Sequence, residues 1–383
     1  MNWNTRSTFN FPCPIRFGPG VIDELGAYLK DHNLKAPLFV TDQGLAGLPF
    51  YQKIIKDLGN CGLKAFTFTE IDKNPVKANV LAGKESYINN KSDCIIGMGG
   101  GASMDVARAI ALIVNHDRDL FDFDDATDGW KYVENPIPHF ITIPTTSGTG
   151  SEVGRSTVIS EDDSHQKRVL FAPQLMAKIV FADPALTLEL PAAITAATGM
   201  DALTHNIEAF VSKGYHPLCD GIALEGCRLV AKSLVKATKE SDLEARTHMM
   251  AAAMMGATAF QKGLGVVHST AHPLSTLFNT HHGLANAIML PYGIEYNSDN
   301  CPEKYAIIAE AMGLRNPGLP DFLKYIDELN AELGLPKDLH ALGVELANVE
   351  ALSELAIKDV CHLCNPKPCT QEDFVAIYKK ALP

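Results

Sequence analysis

The sequence predicts an α/β domain followed by an all-helical domain. In the first half, short apolar runs alternate with amphipathic stretches of helical length, which is typical of parallel βαβ units whose helices cover a sheet. Beyond Pro184 the pattern becomes helical almost throughout, with no segment typical of a buried strand. We therefore expect an α/β domain over residues 1–187, an all-helical domain over 188–383, and a ligand cleft between them.

The predicted strands are apolar runs of four to six residues, rich in β-branched or aromatic side chains and bounded by turn formers. They are Pro37–Thr41, Ala65–Phe68, Cys94–Met98, Phe140–Ile143 and Ile179–Ala182. The helices predicted between them are Val21–Lys30, Phe50–Leu58, Val76–Asn89 and Ser103–Val114. In the second half, Ala- and Leu-rich stretches predict helices over Ala193–Val211, Cys219–Lys239 and Leu243–Ala259. Pro184 and Pro191 bracket the short linker where we place the domain boundary.

Composition and charge exclude several classes of protein. The formal net charge is −12, and an acidic chain without a basic run argues against nucleic acid or an anionic membrane as partner. No apolar run reaches the ~18–20 residues that a membrane helix needs, and residues 1–6 lack the apolar core of a signal peptide. Nine scattered cysteines favour reduced thiols in the cytoplasm. Cys361, Cys364 and Cys369 lack a suitably spaced fourth zinc ligand, so we interpret them as incidental.

A glycine-rich loop follows the third predicted strand. Gly99, Gly100 and Gly101 let the backbone approach a diphosphate, and the N-terminus of the following helix adds a favourable field. Ser103 is a candidate N-cap for that helix. The loop lacks the G-x-G-x-x-G spacing of the common dinucleotide fingerprint. We interpret it as a phosphate cradle of a different layout, with an ordinary tight turn as the alternative.

Two further features agree with nucleotide binding. Hydroxyl-bearing residues, including Thr145, Thr146 and Thr149, follow a predicted strand and can donate hydrogen bonds to a sugar–diphosphate. Asp42 ends another strand, where a carboxylate can bind both ribose hydroxyls of an adenosine and repel a 2′-phosphate, which favours NAD over NADP. The structural alternative for Asp42 is a helix N-cap.

Metal-binding side chains concentrate in the helical half. Asp201 and His205 stand four residues apart, on one face of a helix, and His268 and His272 repeat that spacing. The pair His281-His282 follows. From this group we select Asp201, His205, His268 and His282 as ligands of one divalent ion.

Three neutral imidazoles and one carboxylate leave such an ion with a net charge of about +1, so it remains a Lewis acid. Fe²⁺ suits this donor set, as do Zn²⁺ and other divalent metals, and the absence of cysteine argues against a structural zinc site. An ion with an open position can hold an alcohol oxygen and lower its pKa. A nucleotide loop in one domain and this ion in the other indicate hydride exchange between a nicotinamide and an alcohol–aldehyde pair.

Motifs along the whole chain resemble the iron-containing (group III) NAD-dependent alcohol dehydrogenases, especially the lactaldehyde reductase/1,2-propanediol oxidoreductase branch. These are G-x-G-G-G-x-x-x-D at Gly97–Asp105, P-T-T-x-G-T-x-x-E at Pro144–Glu152, A-T-G-x-D-A-L-T-H at Ala196–His205, and G-L-G-x-V-H-x-x-A-H-P-L at Gly263–Leu274, followed by H-G-x-A-N-A-I at His282–Ile288. The resemblance implies a dehydroquinate synthase-like fold, with a Rossmann-like nucleotide-binding domain and a helical metal-binding domain.

The resemblance also implies roles for individual residues. It assigns metal binding to Asp201, His205, His268 and His282, and it places His272 near the nicotinamide as the catalytic candidate, where it either relays the alcohol proton or shapes the pocket. The positions matched to cofactor contacts are Asp42, Asn74, Gly99, Gly100, Ser103, Thr145, Thr146, Thr149 and Lys167, to which the glycine loop adds Gly101.

The resemblance implies a small alcohol or aldehyde as substrate and a homodimer formed through the strand near Phe9–Phe17. The stretch Ala259–Lys262 departs from the commoner A-F-x-N pattern, and we expect it to border the substrate pocket. Glycerol dehydrogenases and dehydroquinate synthases share the two-domain layout and remain alternative functions, although the synthase expects more basic residues than Lys167, Arg168 and Lys262 provide. A nucleotide-binding sensor without catalysis is the non-enzymatic alternative.

Overall fold

The computed structural model describes residues 7–10, 12–164, 166–315 and 317–382. Residues 1–6, for which we predicted no signal peptide, and Phe11, within the predicted dimer strand, lie outside the described residues. The chain divides into two compact units. An α/β unit contains residues 12–146 and Ser151–Thr187, and a helical unit contains residues 7–10, Ser147–Gly150 and the residues from Leu188 onward.

The α/β unit is built on a six-stranded parallel sheet. Its strands are β1 (Ile15–Phe17), β2 (Pro37–Val40), β3 (Phe66–Phe68), β4 (Cys94–Gly99), β5 (His139–Pro144) and β8 (Ile179–Ala182). Their order across the sheet is β1-β8-β5-β4-β2-β3. Its helices are α1 (Leu25–Asp31), α2 (Gln43–Ala46), α3 (Pro49–Asn60), α4 (Lys77–Asn89) and α5 (Gly101–Ile113). The predicted parallel α/β architecture is confirmed.

Helices cover both faces of this sheet, which explains the near-continuous apolar strands. Because side chains alternate along a strand, Leu38 and Val40 on β2 pack into one core, and Phe39 between them packs into the other. The first core includes Ile110 of α5, and the second includes Tyr51 of α3. The carboxyl ends of β2, β4 and β5 lie at one edge of the sheet. Predicted cofactor residues come just after each of these strands: Asp42 after β2, Gly100 and Gly101 after β4, and Thr145 and Thr146 after β5.

The sequence analysis missed an antiparallel hairpin in this unit. Strands β6 (Ser156–Ser160) and β7 (Lys167–Phe171) pair with each other in a separate two-stranded sheet. The short polar segment between them is a hairpin connection, whereas strands that alternate with helices are joined by longer crossovers.

The helical unit contains nine α-helices among its described residues. They are α6 (Ala192–Val211), α7 (Pro217–Lys239), α8 (Leu243–Ala259), α9 (Val266–Phe278), α10 (His282–Asn297), α11 (Pro302–Ala311), α12 (Leu319–Glu332), α13 (Val349–Ala356) and α14 (Gln371–Lys380). The described part of this unit contains no strand, so the predicted all-helical architecture is confirmed. Every residue of α6 from Thr195 to Val211 is buried, which makes α6 the central helix. In neither unit do the described residues form a helix suited to crossing a membrane.

Candidate metal centre and nucleotide loop

Four potential metal ligands from three helices converge in the helical unit. Asp201 and His205 lie one turn apart on α6, His268 lies in the first turn of α9, and His282 is the first residue of α10. The Nε2 atoms of His282, His205 and His268 lie 3.4, 3.9 and 3.9 Å from Oδ1 of Asp201. One potential ligand atom from each of the four residues lies within 4.8 Å of the others. The four residues selected from the sequence are therefore neighbours.

Two glycines allow the helices to approach closely enough for this arrangement. A Cβ on Gly283 would lie 2.3 Å from the carbonyl oxygen of Ala197, so only glycine lets the start of α10 pack against α6. A Cβ on Gly256 would lie 2.9 Å from Cβ of His205, which sets the approach of α8. The small residues around α6 thus position His282 and His205.

The donor set fits a divalent ion. Ligand atoms about 2.1 Å from a common ion at tetrahedral angles lie about 3.4 Å apart, close to the separations observed here. Asn286 supports the same conclusion, because its Nδ2 lies 2.7, 3.1 and 3.2 Å from Asp201 Oδ1, His282 Nε2 and His268 Nε2. An amide nitrogen has two hydrogens for these three acceptors. An ion can engage all of them at once.

The ionisation states also suit a cation. Burial raises the pKa of Asp201, but the three neighbouring imidazoles and Asn286 outweigh it and lower the pKa to about 2. Burial lowers the pKa of His205 to about 4 and that of His282 well below its usual value. Near neutral pH these groups are a carboxylate and neutral imidazoles, the forms that bind metal.

His281 is the N-cap residue of α10, immediately before His282. Burial lowers the pKa of His281. From this adjacent pair we selected His282 as the ligand, and it is the Nε2 atom of His282 that lies near Asp201.

Glu208 lies on α6, is 2% exposed and was not among the predicted site residues. Its Oε2 accepts a hydrogen bond of 2.5 Å from Nδ1 of His268. Burial lowers the pKa of His268, but the hydrogen bond and charge of Glu208 raise it above its usual value. The sequence carried a signal, because Asp201, His205 and Glu208 are spaced four and three residues apart, on one face of a helix.

A second missed carboxylate holds His272. Nδ1 of His272 lies 2.7 Å from Oδ2 of Asp359, whose Oδ1 accepts from Ser269 Oγ and the Cys361 backbone N–H at 2.7 and 2.9 Å. Burial raises the pKa of Asp359, but the hydrogen bond and charge of His272 outweigh it and hold the pKa well below its usual range. The rings of His272 and His282 stack with centroids 5.3 Å apart. His272 therefore lies beside the four potential ligands, with its Nε2 free of the bond to Asp359.

The C-terminal cysteines do not form a three-thiol cluster among the described residues. One potential ligand atom from each of Cys361, His272 and Asp359 lies within 4.8 Å of the others. Cys364 and Cys369 do not belong to this group. Burial raises the pKa of the Cys361 thiol well above its usual value. The interpretation of the thiols as incidental stays a prediction.

The glycine loop in the α/β unit has the predicted strand–turn–helix geometry. Gly99 ends β4 with φ of +146°, and a Cβ there would lie 2.6 Å from Oγ of Ser103, so this position requires glycine. Gly100 is the N-cap residue of α5, and Gly101 is its first residue. The predicted capping role of Ser103 is wrong, because the helix begins two residues earlier and Ser103 is buried within its first turn.

The other cofactor candidates at the end of the sheet lie next to this loop. The backbone N–H of Thr145 donates to the carbonyl of Gly99 at 3.0 Å, and a Cβ on Gly100 would lie 3.4 Å from Oγ1 of Thr146. Asp42 caps α2 through a bond of 2.8 Å from the Leu45 N–H to Oδ1. Its Oδ2 faces the glycine loop, 4.0 Å from a Cβ position on Gly99. Oδ1 of Asp42 therefore caps α2, and Oδ2 remains available to a ligand at the glycine loop.

The remaining cofactor candidates lie in two places. Lys167 begins β7 opposite Ser160, whose N–H donates to the carbonyl of Pro75, next to Asn74. Burial lowers the pKa of Lys167, and the charge of Asp105 partly offsets that effect. Thr149 belongs instead to the helical unit. There, a Cβ on neighbouring Gly150 would lie 2.3 Å from Cβ of Ala257.

Lys262, at the end of the stretch expected to border the substrate pocket, is buried in the helical unit. Its Nζ donates to the carbonyl of Phe210 at 2.9 Å and to Asp220. The ammonium group of Lys262 therefore binds the C-terminus of α6 and Asp220.

Comparison with known proteins gives matches along nearly the whole chain. Residues 12–184 match the model described as iron-containing alcohol dehydrogenase. Residues 195–382 match the C-terminal model of the Fe-containing alcohol dehydrogenase family. The chain is 36% identical to alcohol dehydrogenase 4 of Saccharomyces cerevisiae (strain YJM789), over 97% of this chain and 98% of that protein. The chain belongs to the iron-containing alcohol dehydrogenase family.

Other members of the iron-containing alcohol dehydrogenase family are similar over comparable lengths. Lactaldehyde reductase of Escherichia coli (strain K12) is 32% identical, over 95% of this chain and 97% of that protein. The crystal structure of a 1,3-propanediol oxidoreductase is similar with a TM-score of 0.93 and 34% identity, over 98% of this chain and 100% of that chain. Sulfoacetaldehyde reductase from Bifidobacterium kashiwanohense in complex with NAD⁺ has a TM-score of 0.88 and 27% identity, with 99% of each chain covered.

Membership of the iron-containing alcohol dehydrogenase family confirms the resemblance drawn from the motifs. The protein is an oxidoreductase that acts on CH–OH groups.

Proposed function

We propose that Asp201, His205, His268 and His282 bind one Fe²⁺ ion, with Zn²⁺ or another divalent metal as alternatives, and that the protein exchanges hydride between NAD(H) and a small primary alcohol or diol. The observation that carries this proposal is the convergence of the three Nε2 atoms on Oδ1 of Asp201. Family membership supports iron as the metal.

A divalent ion held by these residues would supply Lewis-acid chemistry to the oxygen of the alcohol. The Asp201 carboxylate neutralises part of the cationic charge, and the neutral imidazoles leave the rest available. We propose that Nε2 of His272 faces the substrate and accepts or returns its hydroxyl proton. Asp359 keeps the Nδ1 proton of His272 engaged, so that Nε2 carries the lone pair.

For the nucleotide, we propose that Gly99, Gly100 and Gly101 hold the diphosphate at the N-terminus of α5. Asp42 would accept hydrogen bonds from the ribose hydroxyls through Oδ2, which faces that loop. The other proposed contacts are Asn74, Ser103, Thr145, Thr146, Thr149 and Lys167. A relative of the same fold was solved with NAD⁺, which supports NAD as the cofactor.

The domain assignment and cellular setting belong to the same proposal. Residues 1–187 would bind the nucleotide, and residues 188–383 would bind the metal and the alcohol. We propose a cytoplasmic homodimer, for which the open edge of β1 offers a surface, because β1 pairs within its sheet with β8 alone among the described residues. Phe17 on this strand is 42% exposed.

The proposal is tested with purified protein loaded anaerobically with Fe²⁺. We expect one bound ion per chain and NADH formation from NAD⁺ with members of a panel of short primary alcohols and diols, including 1,2- and 1,3-propanediol. His268→Ala should lose both the ion and turnover. His340→Ala, which removes an exposed histidine outside the proposed centre, should lose neither. An iron-loaded wild type that binds NAD⁺ but oxidises none of these alcohols would overturn the proposed substrate class.

A further inference from the structure

Glu208 is a buried carboxylate whose contacts extend beyond its own helix. Its Oε2 receives the Nδ1 hydrogen bond from His268 at 2.5 Å. Backbone N–H groups of Val267 and His268 donate to Oε1 and Oε2 at 2.7 and 3.3 Å. All three donors belong to the first turn of α9, where unpaired N–H groups and the helix dipole favour a negative charge. Glu208 is thus held by three hydrogen bonds against the helix that carries a proposed metal ligand.

This contact determines which nitrogen of His268 can bind a metal. A neutral imidazole carries one N–H and one lone pair, and a carboxylate can only accept at Nδ1. The proton therefore resides on Nδ1, and the lone pair resides on Nε2. Nε2 is the atom that lies 3.9 Å from Asp201 Oδ1 and 3.2 Å from Asn286 Nδ2. The hydrogen bond to Glu208 therefore leaves the Nε2 lone pair of His268 directed toward the proposed metal ligands.

We propose that Glu208 is a positioning residue for the metal centre: it fixes the tautomer and orientation of His268 and increases the affinity for a divalent ion. This inference rests on the proposed metal function of His268. Outer carboxylates that accept from a ligand imidazole raise its basicity, and their loss typically costs 10–100-fold in metal affinity.

Glu208 also changes the charge balance of the centre. Asp201 and Glu208 are both about 2% exposed, and together they provide two negative charges beside three imidazoles. A divalent cation makes this buried group neutral overall, which reduces the cost of burying charge. The net charge of about +1 predicted from the four ligands alone omitted Glu208.

A purely structural role makes a different prediction. If Glu208 only caps α9, the loss of another hydrogen-bond acceptor at the same helix end should have the same effect on metal affinity. Asn365 provides that comparison, because its Oδ1 accepts from the Val266 N–H at 3.1 Å. Asn365 also bonds to Asn297, Lys367 and Cys369, and none of these contacts involves the imidazole of His268.

The test compares Glu208→Gln with Asn365→Ala in the full-length protein. Each apoprotein is titrated with Co²⁺ against a competing chelator at one fixed pH, and the visible d–d spectrum reports the ligand field. We expect Glu208→Gln to bind Co²⁺ 10–100-fold more weakly with an altered spectrum. Asn365→Ala should unfold at a lower temperature and keep the wild-type affinity and spectrum. Wild-type affinity in Glu208→Gln, or an equal loss in both variants, would overturn the inference.

A measurement on the wild-type chain covers the case in which Glu208→Gln does not fold. In Zn²⁺-loaded protein with ¹⁵N-labelled histidine, the His268 signals are assigned by their loss in His268→Gln. We expect Nδ1 of His268 to carry a proton that is slow to exchange and Nε2 to carry the metal shift. Metal on Nδ1, or a proton on Nε2, would overturn the role of Glu208 while leaving a metal centre in place. Absence of any bound ion in the wild type would overturn the proposed function together with this inference.

Discussion

His272 and Asp359 show how one contact can prepare a side chain for proton transfer. Asp359 is held by Ser269 and by the Cys361 backbone, so the carboxylate is fixed before it receives Nδ1 of His272. We expect Asp359→Asn to lower kcat about 10–100-fold at saturating alcohol, because an amide nitrogen beside Nδ1 favours the tautomer with the proton on Nε2. Steady-state kinetics check this, and Ser269→Ala should cause a smaller loss. Wild-type kcat in Asp359→Asn would contradict a proton-handling role for His272.

Asp42 allows the nucleotide proposal to be tested at a single oxygen. Asp42→Gly should reduce the ratio of kcat/KM for NAD⁺ to that for NADP⁺ by about tenfold or more, because the repulsion of a 2′-phosphate is removed. Glycine is tolerated at N-cap positions at a cost of a few tenths of a kcal/mol, so the fold should survive. Asp242→Gly is the matched control, since Asp242 caps α8 through the same type of bond to Ala245. An unchanged ratio in Asp42→Gly would mean that Asp42 does not contact the ribose.

Some individual site residues could be predicted from the sequence, and others could not, for physical reasons. Asp201 and His205 stand at a helical spacing in apolar surroundings, as do His268 and His272, so each pair was recognisable from the sequence. Glu208 continues the same helical face and could have been found. Asp359 is 87 positions from His272 and reaches it only through the tertiary fold. No local spacing could have indicated that pair.

The C-terminus of α6 is stabilised by two lysines from other elements. Lys262 donates to the carbonyl of Phe210 and pairs with Asp220, and Lys304 donates to the carbonyls of Phe210, Val211 and Ser212 at 3.0–3.2 Å. Positive charge at this end complements the helix dipole and the unpaired carbonyls.

Removal of one lysine tests this contribution. We expect Lys262→Ala to lower the free energy of unfolding by about 3 kcal/mol, because it leaves a partly buried carboxylate without its cation. Urea unfolding followed by circular dichroism measures the change. Lys239→Ala, which breaks the exposed pair with Glu332, should change stability by less than about 1 kcal/mol. Equal effects of the two substitutions would contradict the capping role of Lys262.

Element boundaries in the sheet were largely predictable, whereas the β6–β7 hairpin was not recognised. The five predicted strands differ from the observed ones by at most one residue at either end, because each combines an apolar run with flanking turn residues. The hairpin strands are partly exposed, and β7 begins with two cations, so the apolar signal is weak there. The short polar segment between β6 and β7 was the one feature of the sequence that indicated a hairpin.

A buried acid in the α/β unit affects the stability of the whole molecule. Glu152 is 2% exposed, and its Oε1 has no hydrogen-bond partner. Burial raises its pKa to about 7, although its own backbone N–H and Arg108 act in the opposite direction. An acid whose pKa is higher in the folded state stabilises the fold fully below its unfolded pKa, and that stabilisation is lost as pH rises through the folded value.

The contribution of Glu152 to the stability of the metal-free protein should therefore fall as pH rises from about 5 to about 7. The contribution of Glu152 is at most on the order of 3 kcal/mol. Glu152→Gln should flatten this dependence, because the amide does not ionise. Urea midpoints across the pH range provide the measurement, and Glu134→Gln, at an exposed acid of the same unit, serves as the control. Equal pH slopes of the midpoint in the wild type and in Glu152→Gln would contradict a neutral buried Glu152.

The two-part architecture of the whole molecule could be predicted because hydrophobic periodicity changes near Pro184. The assignment of Ser147–Gly150 to the helical unit could not. That segment lies between β5 and the hairpin, and only packing such as that of Gly148 against Thr198 reveals its association with α6. Motifs located the chemistry within each half, whereas the pairing of Asp359 with His272 required coordinates.

Anomalous diffraction at the iron edge, from crystals grown anaerobically with Fe²⁺, tests the central claim most directly. A single peak is predicted about 2.1 Å from Asp201 and from Nε2 of His205, His268 and His282. No peak at this position, or a peak bound by other side chains, would contradict the metal centre and the chemistry built on it.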